Sequence, residues 1–282
     1  TVDCELAMAF TEYIPNNALA AVADECMKEV GAPKWDEDDY AMAREFLNTY
    51  PPVTMETIKS QIVEVFGEDR LEEIAREMVG VETVCLPLDL CDSMSFTTLQ
   101  EKLAAEKPEV AILINNAGCG YLGRMGETET AVQTRMVDLN VRAMTAMTNL
   151  VIPYMPAGGR ILNTSSIASF CPTPRMTVYG ASKAYVSSFT VGLSEELKRR
   201  DITVTAVCPG PMKTEFLDVG SITGRSPAFE YLPYCDQVRV AAGALRAAKA
   251  GRTMYTPRLF YKFYRLLAKV APVKLMVKFT KT

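Results

Sequence analysis

The sequence predicts a doubly wound α/β fold on a parallel sheet, carried by the stretch from about residue 68 to residue 251. Three observations predict it. Short apolar runs alternate with longer helical patterns along this stretch. One of the runs, Val110–Ile114, is apolar without a break, as a strand covered on both faces must be. Polar or glycine-bearing clusters follow several of the runs, where an open parallel sheet places its ligand crevice.

Taken in order, Asp69–Met78 reads as an amphipathic helix. Val81–Leu90 reads as a strand, with Val84, Leu86 and Leu88 on one face. Phe96–Glu106 is helical, Val110–Ile114 a buried strand, and Glu127–Met155 a long helix. Arg160–Asn163 is the next strand, Tyr179–Arg200 the next helix, Thr203–Val207 a further strand, and Asp236–Ala250 a further helix. Strands alternating with helices mean right-handed crossovers and parallel pairing.

Residues 1–67 differ in texture and read as a helical N-terminal segment. Asn16 and Asn17 are placed to cap a helix over Ala18–Val30, which Gly31-Ala32-Pro33 stops. Asp36–Asp39 opens a second over Tyr40–Asn48, which Tyr50-Pro51-Pro52 breaks. A third begins near Thr54 and runs toward Val65; only Ile62–Phe66 resembles a strand.

Composition removes whole classes of chemistry. The 282 residues contain no histidine. That excludes Ser-His-Asp and Cys-His mechanisms and every His-ligated metal site. Acid/base chemistry near neutral pH then falls to Tyr, Lys, Asp, Glu or Cys. The eight cysteines form no C-x-x-C pair and read as reduced core thiols. No metal site is expected. No apolar run reaches the length of a membrane span and no secretory leader opens the sequence, so the expected compartment is the cytoplasm. Net charge is −4, unevenly placed: Arg252–Thr282 holds eight Lys/Arg and no Asp/Glu, and the other 251 residues hold 22 basic and 34 acidic side chains.

Tyr179 and Lys183 stand four apart in Y-G-A-S-K at a helix start, which puts both on one face. An ammonium beside a phenol favours the phenolate and should lower its pKa. Ser166 lies thirteen residues earlier, at the end of Ile161-Leu162-Asn163-Thr164-Ser165-Ser166, where a hydroxyl can hold a substrate oxygen. Asn115-Asn116-Ala117-Gly118 ends an earlier strand; the glycine permits close backbone approach and the asparagines can brace loops or neighbouring strands. Asn140 is a polar residue inside the long helix, placed to bond backbone or an ordered water. Pro209-Gly210 ends a later strand, with Thr214 four residues on. Cys119, Cys171 and Cys208 flank these motifs as packing residues, not nucleophiles.

Together N-N-A-G, the paired serines before Y-x-x-x-K, and P-G-x-x-x-T resemble the short-chain dehydrogenase/reductase family, over roughly Asp69 to Gly251. The resemblance implies a Rossmann-like fold and hydride transfer between NAD or NADP and a carbonyl or alcohol carbon. It implies Tyr179 as general acid/base, Lys183 as the partner that lowers its pKa and binds the nicotinamide ribose, Ser166 as the group orienting the substrate oxygen, and Asn140 as the water-holding member of a proton relay. It implies Asp89 near the adenine, Asn116, Ala117 and Gly118 along the adenosine, and Pro209, Gly210, Met212 and Thr214 around the nicotinamide, with Tyr179 and Lys183 also touching the cofactor.

That family opens with a strand, a glycine-rich turn for the pyrophosphate, a helix and a second strand. Before Asp69 this sequence has only Gly31 and Gly67. The first strand-helix-strand unit is therefore expected to be missing, and cofactor binding weakened. Instead Tyr13–Pro52 is similar to a segment of aminobenzoyl-glutamate-type metallohydrolases, whose metal site needs histidine. This combination suggests a fusion or misassembled gene product. The alternative to an oxidoreductase is a non-catalytic fold remnant with a scaffold or membrane-surface role.

From Leu259 to Val270, basic residues recur at helical spacing between aromatic and aliphatic ones. Pro272 interrupts, and Lys274–Lys281 repeats the pattern. A basic amphipathic segment suits peripheral contact with an anionic membrane; a helix packed on the body or at a subunit contact is the alternative. Tyr231-Leu232-Pro233-Tyr234, in the loop after Thr214, leans toward a small hydrophobic carbonyl or alcohol substrate. No nucleic-acid role is expected. The sequence allows a homo-oligomer and does not specify one.

Overall fold

The computed structural model describes residue 84 and residues 86–214, 216–222, 226, 229 and 231–280. The helices expected over Ala18–Val30, Tyr40–Asn48, Thr54–Val65 and Asp69–Met78, and the run Ile62–Phe66, lie outside the described residues.

Four strands form the sheet: β1 (Ile112–Asn115), β2 (Arg160–Thr164), β3 (Thr203–Val207) and β4 (Met254–Tyr255). They lie in the order β1-β2-β3-β4, and every pair is parallel. Ile112 faces Arg160 across the first ladder and Arg160 faces Thr203 across the second, so these three strands start level and end level. The expected parallel sheet is therefore present.

Helices supply the crossovers. They are α1 (Ser93–Glu106), α2 (Thr130–Val137), α3 (Met144–Val151), α4 (Thr177–Leu197), the short α5 (Phe216–Val219) and α6 (Gln237–Lys249). Two more, α7 (Leu259–Val270) and α8 (Val273–Phe279), follow β4. Local signals fix several ends. The Asp92 side chain accepts from Met94 N–H at 3.0 Å and starts α1. Asp236 accepts from Arg239 N–H at 2.8 Å and starts α6. Each such cap satisfies a donor that the helix itself leaves open.

Strand alternation divides the core into two layers. Leu113, Ile161 and Val204 pack with Leu103 of α1, Val151 of α3, and Leu193 and Leu197 of α4. Leu162 and Val207 point the other way and pack with Val240, Ala244 and Ala248 of α6 and Tyr261 of α7. Full burial of an aliphatic side chain such as Ile161 contributes about 1.5–3 kcal/mol.

Two expectations need correction, and one strand is additional to those expected. The strand expected over Val81–Leu90 is absent from its described part. Residues 86–89 carry no regular structure, and Val84 is exposed. An extended segment becomes a strand only through a ladder, and among the described residues nothing pairs with this one. Asp89 instead accepts Cys91 N–H at 2.7 Å, a local bond that turns the chain toward α1. The expected long helix Glu127–Met155 is also subdivided. Residues before Thr130 form a turn, Asp138–Ala143 is a π-helical segment between α2 and α3, and a 3-10 turn over Ile152–Tyr154 ends it at Pro153. Proline supplies no N–H to continue an α-helix. Finally, β4 was not foreseen. It is two residues long, too short to leave an alternating pattern.

Candidate active site

Parallel strands that end level place their following residues together. Asn116-Ala117-Gly118 leaves β1, Ser165-Ser166 leaves β2, and Pro209-Gly210 leaves β3. All three sit beyond the carboxyl ends of the strands, where an open α/β sheet binds ligands. Ile167 N–H donates to Pro209 O at 3.0 Å and ties the second segment to the third.

Helix α4 brings up the remaining side chains. Its buried residues include Tyr179, Lys183, Val186, Thr190, Leu193 and Leu197. This is one stripe at helical spacing. Its C-terminal end is core, and its N-terminal end is the site. The same packing that buries Leu193 and Leu197 thus aims Tyr179 and Lys183 at the strand ends.

Beneath the site, polar bonds brace the strands. Asn115 Nδ2 donates to Thr148 Oγ1 at 2.9 Å and to Asn163 Oδ1 at 2.8 Å. Asn163 Nδ2 donates to Thr190 Oγ1 at 3.0 Å. Thr164 Oγ1 donates to Asn116 Oδ1 at 3.1 Å. The bracing role expected of the asparagines is what the geometry shows.

Asn140 lies in the π-helical segment and is buried. Its Oδ1 accepts Cys119 N–H at 2.9 Å, and its Nδ2 donates to Cys119 O at 2.8 Å and to Ser182 Oγ at 3.0 Å. One side chain therefore clamps the backbone after N-N-A-G to α4. Ser182 Oγ donates in turn to Tyr179 O at 2.8 Å. Sequence reasoning missed Ser182, although it sits inside Y-G-A-S-K next to Lys183.

Lys183 Nζ donates to Thr164 O at 2.8 Å and lies 5.8 Å from the Tyr179 ring centre. Gly118 closes this corner. A Cβ there would meet Asn140 Oδ1 and Lys183 Nζ, each at 3.0 Å. Asn140 and Lys183 thus converge on the one motif position without a side chain. A buried ammonium with three donors has Thr164 O as its acceptor among the described residues. Such a site suits a hydroxyl-rich group lying over Gly118.

The electrostatics correct one expectation. Burial pushes the Tyr179 phenol up to about 12, and a hydrogen bond with Ser166 only partly offsets this. Proximity to an ammonium was expected to lower it. Burial dominates, since it penalises the phenolate directly, while Lys183 bonds the Thr164 carbonyl. Burial likewise lowers Lys183 to about 8. Tyr179 is accordingly a protonated group across the neutral range, competent as an acid. Burial also raises the thiols of Cys119, Cys171 and Cys208, consistent with packing roles.

Ser166 sits in extended backbone, and its Oγ accepts Ala168 N–H at 3.2 Å while bonding Tyr179. Ser165 does not join it: its hydroxyl donates to Lys183 O at 2.9 Å and pairs with Ser187 at 2.8 Å. The Tyr179 ring packs 5.5 Å from that of Phe216, within a cluster holding Leu122, Met176 and Ile222. The site wall beside the phenol is therefore apolar.

Of the expected cofactor residues, Gly118, Lys183 and Tyr179 meet at this corner. Gly210 lies against Tyr261, and Met212 packs in the α6 layer. Thr214 O accepts Leu217 N–H at 3.2 Å. Asp89 is exposed and accepts Cys91 N–H, and its neighbours Leu88 and Cys91 pack in one cluster with Ala117 and Cys119.

A phenol, a serine hydroxyl, a buried ammonium and a clamping asparagine thus meet at the carboxyl edge of a parallel sheet. The sequence pattern of the short chain dehydrogenase family matches residues 56–223, more than half of the chain. The chain belongs to the short-chain dehydrogenase family. It is 32% identical over 168 residues to an uncharacterized oxidoreductase of Staphylococcus saprophyticus, covering 56% of this chain and 72% of that one. It is 35% identical over 156 residues to sulfoacetaldehyde reductase 2 of Chromohalobacter salexigens, covering 53% and 61%. It is 30% identical over 191 residues to the very-long-chain 3-oxoacyl-CoA reductase of Anas platyrhynchos, covering 64% and 58%. The chain thus spans about three-fifths of the length of the last two relatives.

Among solved structures, a short-chain dehydrogenase from Sphingobium yanoikuyae in complex with NADPH superposes with a TM-score of 0.62 at 27% identity, over 74% of this chain and 80% of that one. The bulky-bulky ketone specific alcohol dehydrogenase from Comamonas testosteroni gives 0.57 at 26%, over 71% and 76%. These likenesses agree with the Rossmann-like fold.

Proposed function

We propose that this chain is a nicotinamide-dependent oxidoreductase that interconverts a hydrophobic carbonyl and its alcohol. The observation that carries the reading is the convergence of Tyr179, Ser166, Lys183 and Asn140 on Gly118 and the strand ends. The cofactor, NAD or NADP, would lie along Asn116, Ala117 and Gly118, with Pro209, Gly210, Met212 and Thr214 around its nicotinamide. When bound it supplies or accepts the hydride.

The chain's own residues handle the proton. Ser166 holds the substrate oxygen beside the phenol. In reduction, Tyr179 donates its hydroxyl proton to that oxygen as hydride reaches the carbon. Lys183 donates to the ribose hydroxyls and faces the phenolate left behind. Asn140 holds the Cys119 backbone, and so Gly118, at the distance Lys183 needs. The half-buried Phe216 ring beside the phenol favours a hydrophobic substrate. The NADPH complex named for the Sphingobium protein and the ketone named for the Comamonas protein support the cofactor and substrate classes.

Residues 1–68 contain no glycine-rich turn. We therefore expect cofactor affinity in the 282-residue chain to be weak. The same feature favours the second reading, a dehydrogenase-fold remnant without turnover. Fluorescence titration of NADH and NADPH, followed by absorbance assays with aliphatic and aromatic ketones, separates the two. Weak binding with turnover supports the first. No binding at any reachable concentration and no turnover supports the second. Micromolar binding would overturn the expectation of a weakened site.

A further inference from the structure

Helix α7 carries its apolar stripe on the wrong side for a core helix. Tyr261 is fully buried against Gly210, and its hydroxyl donates to Pro233 O at 2.7 Å. Tyr264 and Arg265 lie against Phe170, with ring centres 6.1 Å apart and the guanidinium 5.9 Å from the Phe170 ring. These residues are the inner face. The opposite face presents Leu259, Phe263, Leu266 and Val270, which are 80%, 66%, 59% and 73% exposed. Their spacing of four, three and four keeps them in one line along the helix. Phe260 and Leu267 widen the stripe, and Val273 and Leu275 of α8 lie exposed beyond it. Single exposed apolar residues are ordinary, but a contiguous stripe marks a contact surface.

Charge identifies the partner. At 100° per residue, Lys262 and Lys269 fall side by side on one edge of the stripe, and both are exposed. Lys274 and Lys278 continue the basic character on α8, and residues 252–282 contain no Asp or Glu. A second copy seated on this face would bring only further basic residues to it, with no counter-charge. An anionic bilayer supplies both needs: acyl chains for the stripe and headgroups for the lysines. No helix among the described residues is long and apolar enough to cross a membrane, so the contact is a surface one.

We propose that α7 and α8 dock this protein on an anionic membrane surface, with Leu259, Phe263, Leu266 and Val270 entering the headgroup boundary and Lys262 and Lys269 meeting lipid phosphates. The proposal does not rest on the catalytic reading. It does place the bilayer near the loop at 233–234, which Tyr261 and Arg258 hold through its backbone carbonyls.

The test is co-sedimentation of the full chain with phosphatidylcholine vesicles, with and without phosphatidylserine. Binding should require phosphatidylserine and fall with added salt. Lys262→Gln with Lys269→Gln should weaken it about twenty-five-fold, taking roughly fivefold per charge. Phe263→Asp with Leu266→Asp should abolish it while circular dichroism stays unchanged, since all four residues are exposed. Three results would overturn the proposal. One is no binding to anionic vesicles, and another is binding that the variants leave intact. The third is a lipid-free dimer in light scattering that the Phe263→Asp/Leu266→Asp variant splits, which would assign the stripe to a second copy.

Discussion

Replacing Lys183 with methionine should remove the proton-transfer function while making stability less dependent on alkaline pH. Burial lowers this ammonium from 10.5 to about 8. A group with a depressed folded pKa is charged in both states below pH 8. There the folded protein bears the full cost of burying the charge, about 3 kcal/mol for a shift of this size. Between about pH 8 and 10.5 the folded lysine is neutral while the unfolded one still holds its proton. Stability therefore gains from this group as pH rises through that window. From about pH 7 to about pH 9.5 the wild type should gain about 2 kcal/mol relative to Lys183→Met. The thiols of Cys91, Cys119, Cys171, Cys208 and Cys235 act in the opposite sense, since burial raises them. Those of Cys91, Cys171 and Cys235 cancel in the difference, whereas Cys119 and Cys208 interact with Lys183 and cancel only in part. At neutral pH the variant is relieved of the buried charge but leaves Thr164 O without its donor, which costs about 1–3 kcal/mol. It should therefore fold about as stably as the wild type. The assay is urea unfolding of both proteins by far-UV circular dichroism across the pH range. A difference that does not change with pH would refute the buried, depressed ammonium.

Other perturbations follow from the same geometry. Tyr179→Phe should cut turnover by a factor of about 10² to 10⁴ and change nicotinamide affinity far less, as read by paired kinetic and fluorescence measurements. The rate of carbonyl reduction should fall above about pH 8, where Lys183 loses its charge, while Tyr179, near 12, stays protonated; a pH–rate profile flat to pH 10 would contradict this. Gly118→Ala should raise KM for the cofactor, because its methyl would meet Lys183 Nζ and Asn140 Oδ1 at 3.0 Å. Asn163→Ala should lower stability by about 1–3 kcal/mol in thermal or urea melts, since it strands buried partners on Asn115 and Thr190.

Much of the site was legible because its residues sit at fixed offsets from elements with strong periodic signals. Val110–Ile114 is a short apolar run, Thr203–Val207 is a short run rich in β-branched residues, and Y-x-x-x-K lies on the buried stripe of α4. The strand ends and the helix start followed from these. What sequence could not show are contacts that only burial and neighbours create. The direction of the Tyr179 shift is one: spacing places an ammonium nearby, but the degree of desolvation depends on packing by Phe216, Leu122 and Met176. The π-helical turn around Asn140 is another, since it leaves no compositional trace. Ser182 and the Thr164 carbonyl became visible only as partners of Asn140 and Lys183. The segment 86–89 misled because Leu86 and Leu88 alternate as a strand would, while strand formation depends on a pairing neighbour. Asp89 then follows its local bond to Cys91.

The central claim is that Tyr179 delivers a proton while hydride passes from a bound nicotinamide. Deuterium tracing tests it most directly. The chain is incubated with NADPH or NADH deuterated at the reactive carbon and a hydrophobic ketone, and the alcohol is analysed by mass spectrometry. One deuterium is expected on the carbinol carbon with both proteins, with the labelled alcohol formed about 10² to 10⁴ times more slowly by Tyr179→Phe. Alcohol formed without deuterium, or labelled alcohol formed as fast by Tyr179→Phe as by the wild type, would contradict it.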